Sequence, residues 1–548
     1  MKKIAIYFIS LVCILFFSSC EDFLNRYPKD ALSPATTWLT QGDAERFLIG
    51  LYSGNGFIHG ELFFYLDCAS DIGFSFHAHE GWRAIGNGTM SPTGQVSNQY
   101  TFGTIRRVNY FLSNIDRVEM DEAVRRDMIA QARFIRAWRY YLLNRMYGGV
   151  PIITDLPISA EDAQRPRNTN EEVRDFIFSE LDLALLDIRD TPAQTGRVAR
   201  GAVLALKMRS ALWHGNYQRA LDASRAITAL GQYQLFRDGT PYAFSRLFSI
   251  AERNNSEIIL SRQRINPGDT EWFVTIPNNA DGGWSSMVPT QNLINMFEMA
   301  NGLTRCNPAS GYDPTRPFYN RDPRMAMTVL VPGIYWPTNY RGILNALDQY
   351  LPNGTSNPNF PRGANNASST GLTWAKYFLP REQFLNDEGN PVWNPVGVQY
   401  IAFRYAEVLL TRAETSNELF GPSNEVYDAL DDIRNRAGMP PVDRARYNTQ
   451  ETLRELIRRE RTVELAGEGV RRFDIIRWGI AQEVMNGPLL RAVGTIDYDE
   501  PNPFRRAIIS GTELIEDRVF LPHHRFLPFP QSAINNNPNL KQDPEWDN

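Results

Sequence analysis

The stretch from about Glu122 to Tyr147 constrains this chain most, because its apolar residues recur with the period of a helix. Phe134, Ile135, Trp138, Tyr141, Leu142 and Met146 share one arc at about 3.6 residues per turn, after a solvated start at Arg125, Arg126 and Asp127. Gly148-Gly149 ends the helix, Pro151 prevents its resumption, and Val150 to Ile153 reads as a short extended piece. A second helical unit covers about Arg200 to Leu230. One helix carries Val203, Leu206, Ser210 and Ala211, the turn is His214-Gly215-Asn216, and the next carries Tyr217, Ala220, Leu221 and Ile227. The spacing Gly-x-Tyr-x-x-Ala suits a tetratricopeptide-type hairpin, in which small residues let paired helices approach closely. A third pair spans Tyr405 to Arg436, broken at Gly421-Pro422, and Glu451 to Trp478 adds more helix. The expected fold is mainly α. It consists of tetratricopeptide-like hairpins that are too irregular in spacing for a plain solenoid, together with a long loop-rich portion.

The chain opens with Lys2 and Lys3, an apolar run from Ile4 to Phe17, and Ser18-Ser19-Cys20-Glu21-Asp22. A basic start, a short apolar stretch and small residues describe a secretory leader. The run is shorter than the roughly 20 residues a spanning helix needs. Phe17-Ser18-Ser19-Cys20 resembles a bacterial lipobox, which implies lipidation of Cys20 after removal of residues 1–19. Acyl chains worth roughly 0.8 kcal/mol per buried CH₂ would tether the body without a spanning helix. Glu21-Asp22 looks like the acidic export tag of lipoproteins sent to the cell surface. Without Lys2 and Lys3 the chain has 55 basic and 62 acidic residues, a charge of −7. Such a surface has no general attraction for nucleic acid. Cys13 leaves with the leader and Cys20 carries lipid, so Cys68 and Cys306 remain. An exported compartment permits a bridge between them, but two buried free thiols are the preferred reading.

From roughly Asn266 to Val398, Asn, Gly and Pro recur every few residues. So long a loop-rich stretch points to function.

The chain resembles the SusD/RagB family of outer-membrane nutrient-binding lipoproteins along nearly all of its mature length. The likeness begins at Glu21-Asp22-Phe23-Leu24. It continues through Ala132-Arg133-Phe134-Ile135-Arg136-Ala137 with Tyr147-Gly148-Gly149-Val150-Pro151, Gly215-Asn216-Tyr217 and Arg404-Tyr405-Ala406-Glu407-Val408. Further matches are Ile433-Arg434-Asn435-Arg436-Ala437-Gly438, Gly469-Val470-Arg471-Arg472-Phe473-Asp474 and Leu527-Pro528-Phe529-Pro530. The resemblance implies a leader over 1–19, an N-terminal region over 20–260 and a C-terminal region over 261–548 that includes the loop-rich 266–398. It also implies glycan capture without catalysis or cofactor, a SusC-like TonB-dependent transporter as partner, and an outer-membrane location facing the exterior.

Sugar rings stack their C–H faces on flat aromatics, while their hydroxyls need polar partners. Trp138, Trp213 and Trp478 sit on predicted helices and read as core. Trp82, Trp284, Trp336 and Trp374 sit among turn residues. The early segment Asp71 to Asn87 corresponds in position to a ligand-binding loop of the family, making Asp71, Trp82 and Arg83 candidates. Trp284, and Trp336 with Tyr340, are the others. Against each stands the plainer reading of a loop aromatic folded over the core. His77 with His79 and His523 with His524 lack evident further ligands for a metal, so no metal is expected. Glu460, Arg461, Glu464, Arg471, Arg472 and Asp474 read as an ion-pair network bracing helices, since glycosidase carboxylates must flank an open cleft. The competing functions are capture of peptide, a lipid-anchored glycoside hydrolase and a helical scaffold that binds protein.

Overall fold

The computed structural model describes residues 38–53, 57–58, 61–94, 99–263, 275–336, 342–361, 366–392 and 397–546. Cys20, Tyr340 and the leader lie outside the described residues, as does the side chain of Trp336. In the N-terminal half the main helices are α1 (Gln41–Tyr52), α2 (Glu61–Cys68), α3 (Trp82–Asn87), α4 (Gly103–Asn114), α5 (Glu122–Tyr147), α6 (Asn170–Asp187), α7 (Arg200–Trp213) and α8 (Tyr217–Ala229). In the C-terminal half they are α9 (Tyr405–Phe420), α10 (Asn424–Arg436), α11 (Gln450–Leu465) and α12 (Arg471–Arg477). The long central helix, both predicted pairs and the helix expected over Glu451 to Trp478 are present at the expected places.

The periodicity that predicted α5 also buries it. Trp138 is 2 % exposed, and its indole N–H donates to the Phe57 carbonyl at 2.7 Å. Helix α6, which the apolar pattern did not reveal, starts on a reciprocal cap. Thr169 Oγ1 accepts from Glu172 N–H at 3.1 Å, and Glu172 Oε2 accepts from Thr169 N–H at 2.8 Å. Such a cap satisfies two of the four orphan donors of a helix start. Glu180 of α6 then takes Arg136 and Arg133 of α5 at 2.7 and 2.6 Å, fastening the pair. Packing proceeds from α5 to α6, α7 and α8, and from α8 directly to α9, which packs on α10 and α11. The helical stack therefore closes across the loop-rich segment that separates α8 from α9 in sequence. Trp213 and Trp478 are buried with it, as expected, and the Trp478 indole donates to Glu414 at 2.7 Å.

Strands occur as five antiparallel pairs among the described residues: β1 (Gly73–Ser75) with β3 (Met287–Pro289), β2 (Ile258–Gln263) with β8 (Gln399–Arg404), β4 (Val329–Leu330) with β7 (Thr373–Trp374), β5 (Tyr335–Trp336) with β6 (Gly342–Ile343), and β9 (Gly487–Ile496) with β10 (Ala507–Arg518). The first pair ties the loop-rich segment to an element far away in sequence, and the second joins the two strands that flank that segment. The β9–β10 ribbon was not foreseen. Its residues are mostly half-exposed on both faces, so no clean period-two apolar stripe marks it.

Candidate functional site

The early segment is built into the core. Trp82 opens α3 but is only 6 % exposed, its ring stacked on Tyr65 with centroids 5.4 Å apart. The Asp71 carboxylate is buried and takes Arg471 through two bonds, Nε and Nη2, each at 2.8 Å. Arg83 is half-buried and pairs with Glu516 of β10 at 3.0 Å. For Trp82 and Trp374, both placed among turn residues, the plainer reading of an aromatic folded over the core holds, since both are buried and Trp374 is wholly so. Turn-forming neighbours describe only the local backbone, and here β1 and β7 are drawn inward by β3 and β4. Trp284 is half-buried, two residues after Gly282, at the turn into β3. Trp336 faces Gly342 across the β5–β6 pair in backbone register.

Exposed aromatics occur at positions that sequence reasoning passed over, and two of them, Tyr335 and Tyr498, share one depression. Tyr335 on β5 is 63 % exposed, Tyr350 57 % and Tyr498 36 %. Tyr335, Ile343, Leu351, Pro352, Asn353 and Tyr498 line part of an open depression of about 410 Å³. Its described walls come from Tyr335 with residues 342–359, from Tyr498 in the turn between β9 and β10, and from Ala280.

A ladder of buried amides shapes the first wall. Asn345 Oδ1 accepts from the N–H groups of Leu347 and Asp348 at 2.9 and 3.0 Å, which reverses the chain. Its Nδ2 donates to Asp348 Oδ2 at 3.0 Å and to the Tyr498 hydroxyl at 2.7 Å, joining the two walls. Asn357 Nδ2 donates to the carbonyls of Asn345 and Asp348 at 3.1 and 2.7 Å. Asn359 Oδ1 takes the Ala280 N–H at 2.9 Å. Much of the asparagine density in this region is therefore spent on folding the loop. Partial burial holds the Tyr498 hydroxyl above the ordinary phenol range, the Asn345 bond pulls the other way, and Asp348 adds to the rise. With its flat rings, hydrocarbon edges and few polar tips, the depression can stack and orient a ligand. No carboxylate or histidine is among the described residues that line it.

The charged set of the C-terminal helices is an ion-pair network, as its composition suggested. Glu464 is buried between Arg404 at 2.7 Å, Arg324 at 3.1 Å and Arg436. Arg404 also binds Glu257 and Glu468 at 2.8 Å each, and Lys376 reaches Glu468 at 2.7 Å. Burial by itself would raise the Glu464 carboxyl, but Arg436, Arg404 and Arg324 hold it well below the usual carboxylate range. Asp474 lies between Arg461 and Arg477, each at 2.8 Å. Arg472 differs from the expectation of ion pairing. It donates to the Ala69 and His524 carbonyls at 2.9 and 2.8 Å, and burial lowers its pKa to about 10.

His524 stacks on Trp546 with centroids 5.5 Å apart, and burial lowers its pKa to about 4. Its Nδ1 accepts the Leu521 N–H at 3.2 Å, a structural task. Cys68 and Cys306 are both free thiols. Cys68 is buried as expected, whereas Cys306 is exposed.

A stack of helical pairs that presents an aromatic-lined, loop-built depression defines a binding protein on a helical-repeat scaffold. The chain belongs to the SusD family, whose model matches residues 244–546. Residues 22–212 match a model described as "Starch-binding associating with outer membrane". A SusD-like protein of Formosa agariphila is 25 % identical, the match covering 95 % of each chain. A solved SusD-like carbohydrate binding protein from Bacteroides fragilis superposes with a TM-score of 0.75 at 25 % identity, over 92 % of this chain and all of that one. A laminarin binding SusD-like protein shares the fold, with a TM-score of 0.67 at 20 % identity over 92 % of this chain and all of its own.

Proposed function

We propose that this chain is a non-catalytic surface lipoprotein that captures oligosaccharide or polysaccharide in the depression walled by Tyr335 and Tyr498. The observation that carries the reading is the exposure of large aromatic rings on a concave face whose backbone is braced by buried amides. Preformed aromatic faces are what sugar rings need, and bracing lowers the ordering cost of binding. Membership of the SusD family and the carbohydrate-binding relative support the same ligand class. Trp284 and Trp336, in the same loop-rich half, remain candidate contacts with Tyr340. Trp82, Arg83 and Asp71 would act by supporting the fold.

Isothermal titration of purified protein against a glycan panel tests this. Tyr335→Ala and Tyr498→Ala are each expected to weaken binding by about 1–3 kcal/mol, on the scale of base–aromatic stacking. Melting temperature should hardly move for the exposed Tyr335. Normal glycan affinity in both variants would remove the depression as the site. Peptide capture is the second reading, favoured by the apolar edges of Ile343, Leu351 and Pro352, and a peptide array run beside the panel separates the two.

The proposed site of action is the outer membrane, with Cys20 as the lipidated first residue after removal of 1–19. The remaining chain would form an N-terminal region over 20–260 and a C-terminal region over 261–548. Among the described residues no helix is long and apolar enough to cross a membrane, and a tethered binder would need a transporter to receive its ligand. A SusC-like TonB-dependent barrel fits that need, since tethering beside its mouth raises the local ligand concentration. Cys20→Ala should abolish labelling by a fatty-acid probe and loosen co-purification with the barrel from mild detergent. Undiminished labelling of the variant would remove the anchor from the proposal.

A further inference from the structure

We infer that a small monovalent anion, chloride by its charge and size, binds in the buried cavity lined by Arg145 of α5 and Arg472 of α12, two guanidinium groups with no carboxylate paired to either among the described residues.

The cavity measures about 10 Å³, the room of one water-sized occupant. Its walls combine apolar side chains, among them Trp82, Ile85 and Phe473, with three arginines, Arg145, Arg472 and Arg525. Arg145 and Arg472 are buried, whereas Arg525 is exposed and stands at the rim. Taking a guanidinium out of water is costly unless a counter-charge or a set of acceptors replaces its hydration. Other buried arginines of this molecule meet that demand. Arg139 and Arg321, which have no ion pair among the described residues, spend their donors on carbonyls: Gln99 and Thr101 for the first, Ile294, Phe297, Glu298 and Pro317 for the second. Arg472 follows them with its two terminal nitrogens, on the Ala69 and His524 carbonyls. Arg145 does not. Among the described residues it has one hydrogen bond, to the Tyr141 hydroxyl at 3.3 Å, and its buried Nε has no partner. The Phe473 and Tyr141 rings lie 4.0 and 4.8 Å from its guanidinium carbon, and their negative faces offset part of the cost. Glu407 attracts Arg145 from beyond ion-pair distance but is already shared by Arg209 and Arg461, and Arg209 repels it. The cavity is thus bordered by positive charge that the protein itself leaves unmatched. An anion there would accept from Arg145, join α5 to α12 through charge-assisted bonds, and brace the wall that holds Trp82.

The test follows thermal unfolding of the natural chain at fixed ionic strength, while chloride, bromide or nitrate replaces gluconate, an anion too large for the cavity. General screening then stays constant. Expected is a saturable rise in melting temperature with each of the three small anions, as for any ligand that binds only the folded state. The rise should vanish in Arg145→Met, whose apolar side chain needs no counter-ion. Arg525→Gln, at the exposed rim, should weaken the anion dependence and leave the melting temperature in gluconate unchanged. A crystal grown in bromide should show an anomalous peak within bonding distance of Arg145. Identical melting curves in all four salts would overturn the inference, and so would a halide effect that survives in Arg145→Met or a bromide peak confined to the surface. If Arg145→Met does not fold, the salt series and the bromide peak of the natural chain decide the matter by themselves.

Discussion

Glu464→Gln is expected to cost about 3–5 kcal/mol of folding stability, the penalty for removing one partner from a buried ion pair. Glu464 receives Arg404 from the end of β8, Arg436 from α10 and Arg324 from the short helix Arg324–Thr328. An amide there leaves three buried guanidinium groups short of one negative charge in a site closed to solvent. The pairs join the loop-rich segment to the helical stack, so their loss strikes where two parts of the molecule meet. Urea unfolding followed by tryptophan fluorescence measures the change. Asp182→Asn, which breaks a half-exposed pair with Lys207, serves as the reference and should change stability by less than about 1 kcal/mol. Equal, small effects of the two substitutions would refute the assignment of Glu464 as the hub.

The same group sets a pH dependence. Its folded-state pKa is depressed, so its stabilising contribution is complete above the unfolded-state value near 4.5 and is lost as pH falls through the lower folded value. The stability gap between the natural chain and Glu464→Gln should accordingly be widest at neutral pH and shrink below pH 4.5. A gap that grows on acidification would have the wrong sign for this mechanism.

Asp67→Ala is expected to cost about 3 kcal/mol or more, because three backbone donors lose their acceptor at once. Asp67 lies in α2 and is fully buried. Its Oδ2 accepts the N–H groups of Gly467 and Gly469 at 2.7 and 3.2 Å, and its Oδ1 accepts that of Arg471 at 3.1 Å. These bonds shape the turn between α11 and α12, where Gly467 and Gly469 adopt φ of +82° and +74°. The turn in turn aims Arg471 at Asp71. Glu468 of the same turn is expected to lose its grip on Arg404 and Lys376 when the turn relaxes. Hydrogen exchange should show the Gly467, Gly469 and Arg471 amides deprotected in the variant. Protection equal to that of the natural chain would mean that other groups hold the turn.

The helical architecture was legible in the sequence because its determinants are local. Apolar residues three and four apart define α5, α7 and α9 without reference to distant residues, and Gly148, Gly215 and Gly421 punctuate them. The charged set near α11 was legible as a network from composition, since so many opposite charges on neighbouring helices need one another. Its reach to Glu257, Arg324 and Arg404 was not, because those partners arrive from far along the chain.

The site was less legible for the same physical reason. Trp82 drew notice because its neighbours are turn residues, yet burial depends on Tyr65 and α3 packing, which no local pattern encodes. Tyr335, Tyr350 and Tyr498 look like ordinary loop tyrosines until β5–β6 and the β9–β10 ribbon bring their segments together. A usable signal was present in the recurrence of Asn at 345, 353, 357 and 359 and in Asp497-Tyr498-Asp499. The Asn345–Tyr498 bond, 153 positions apart in sequence, together with the Ile496 N–H on Asp348, turns those fragments into one surface. Sequence by itself determined the helical pairs, whose stripes are set by contacts within a few residues. Tertiary structure decided which aromatics face solvent, because exposure is settled by whichever distant segment packs against each ring.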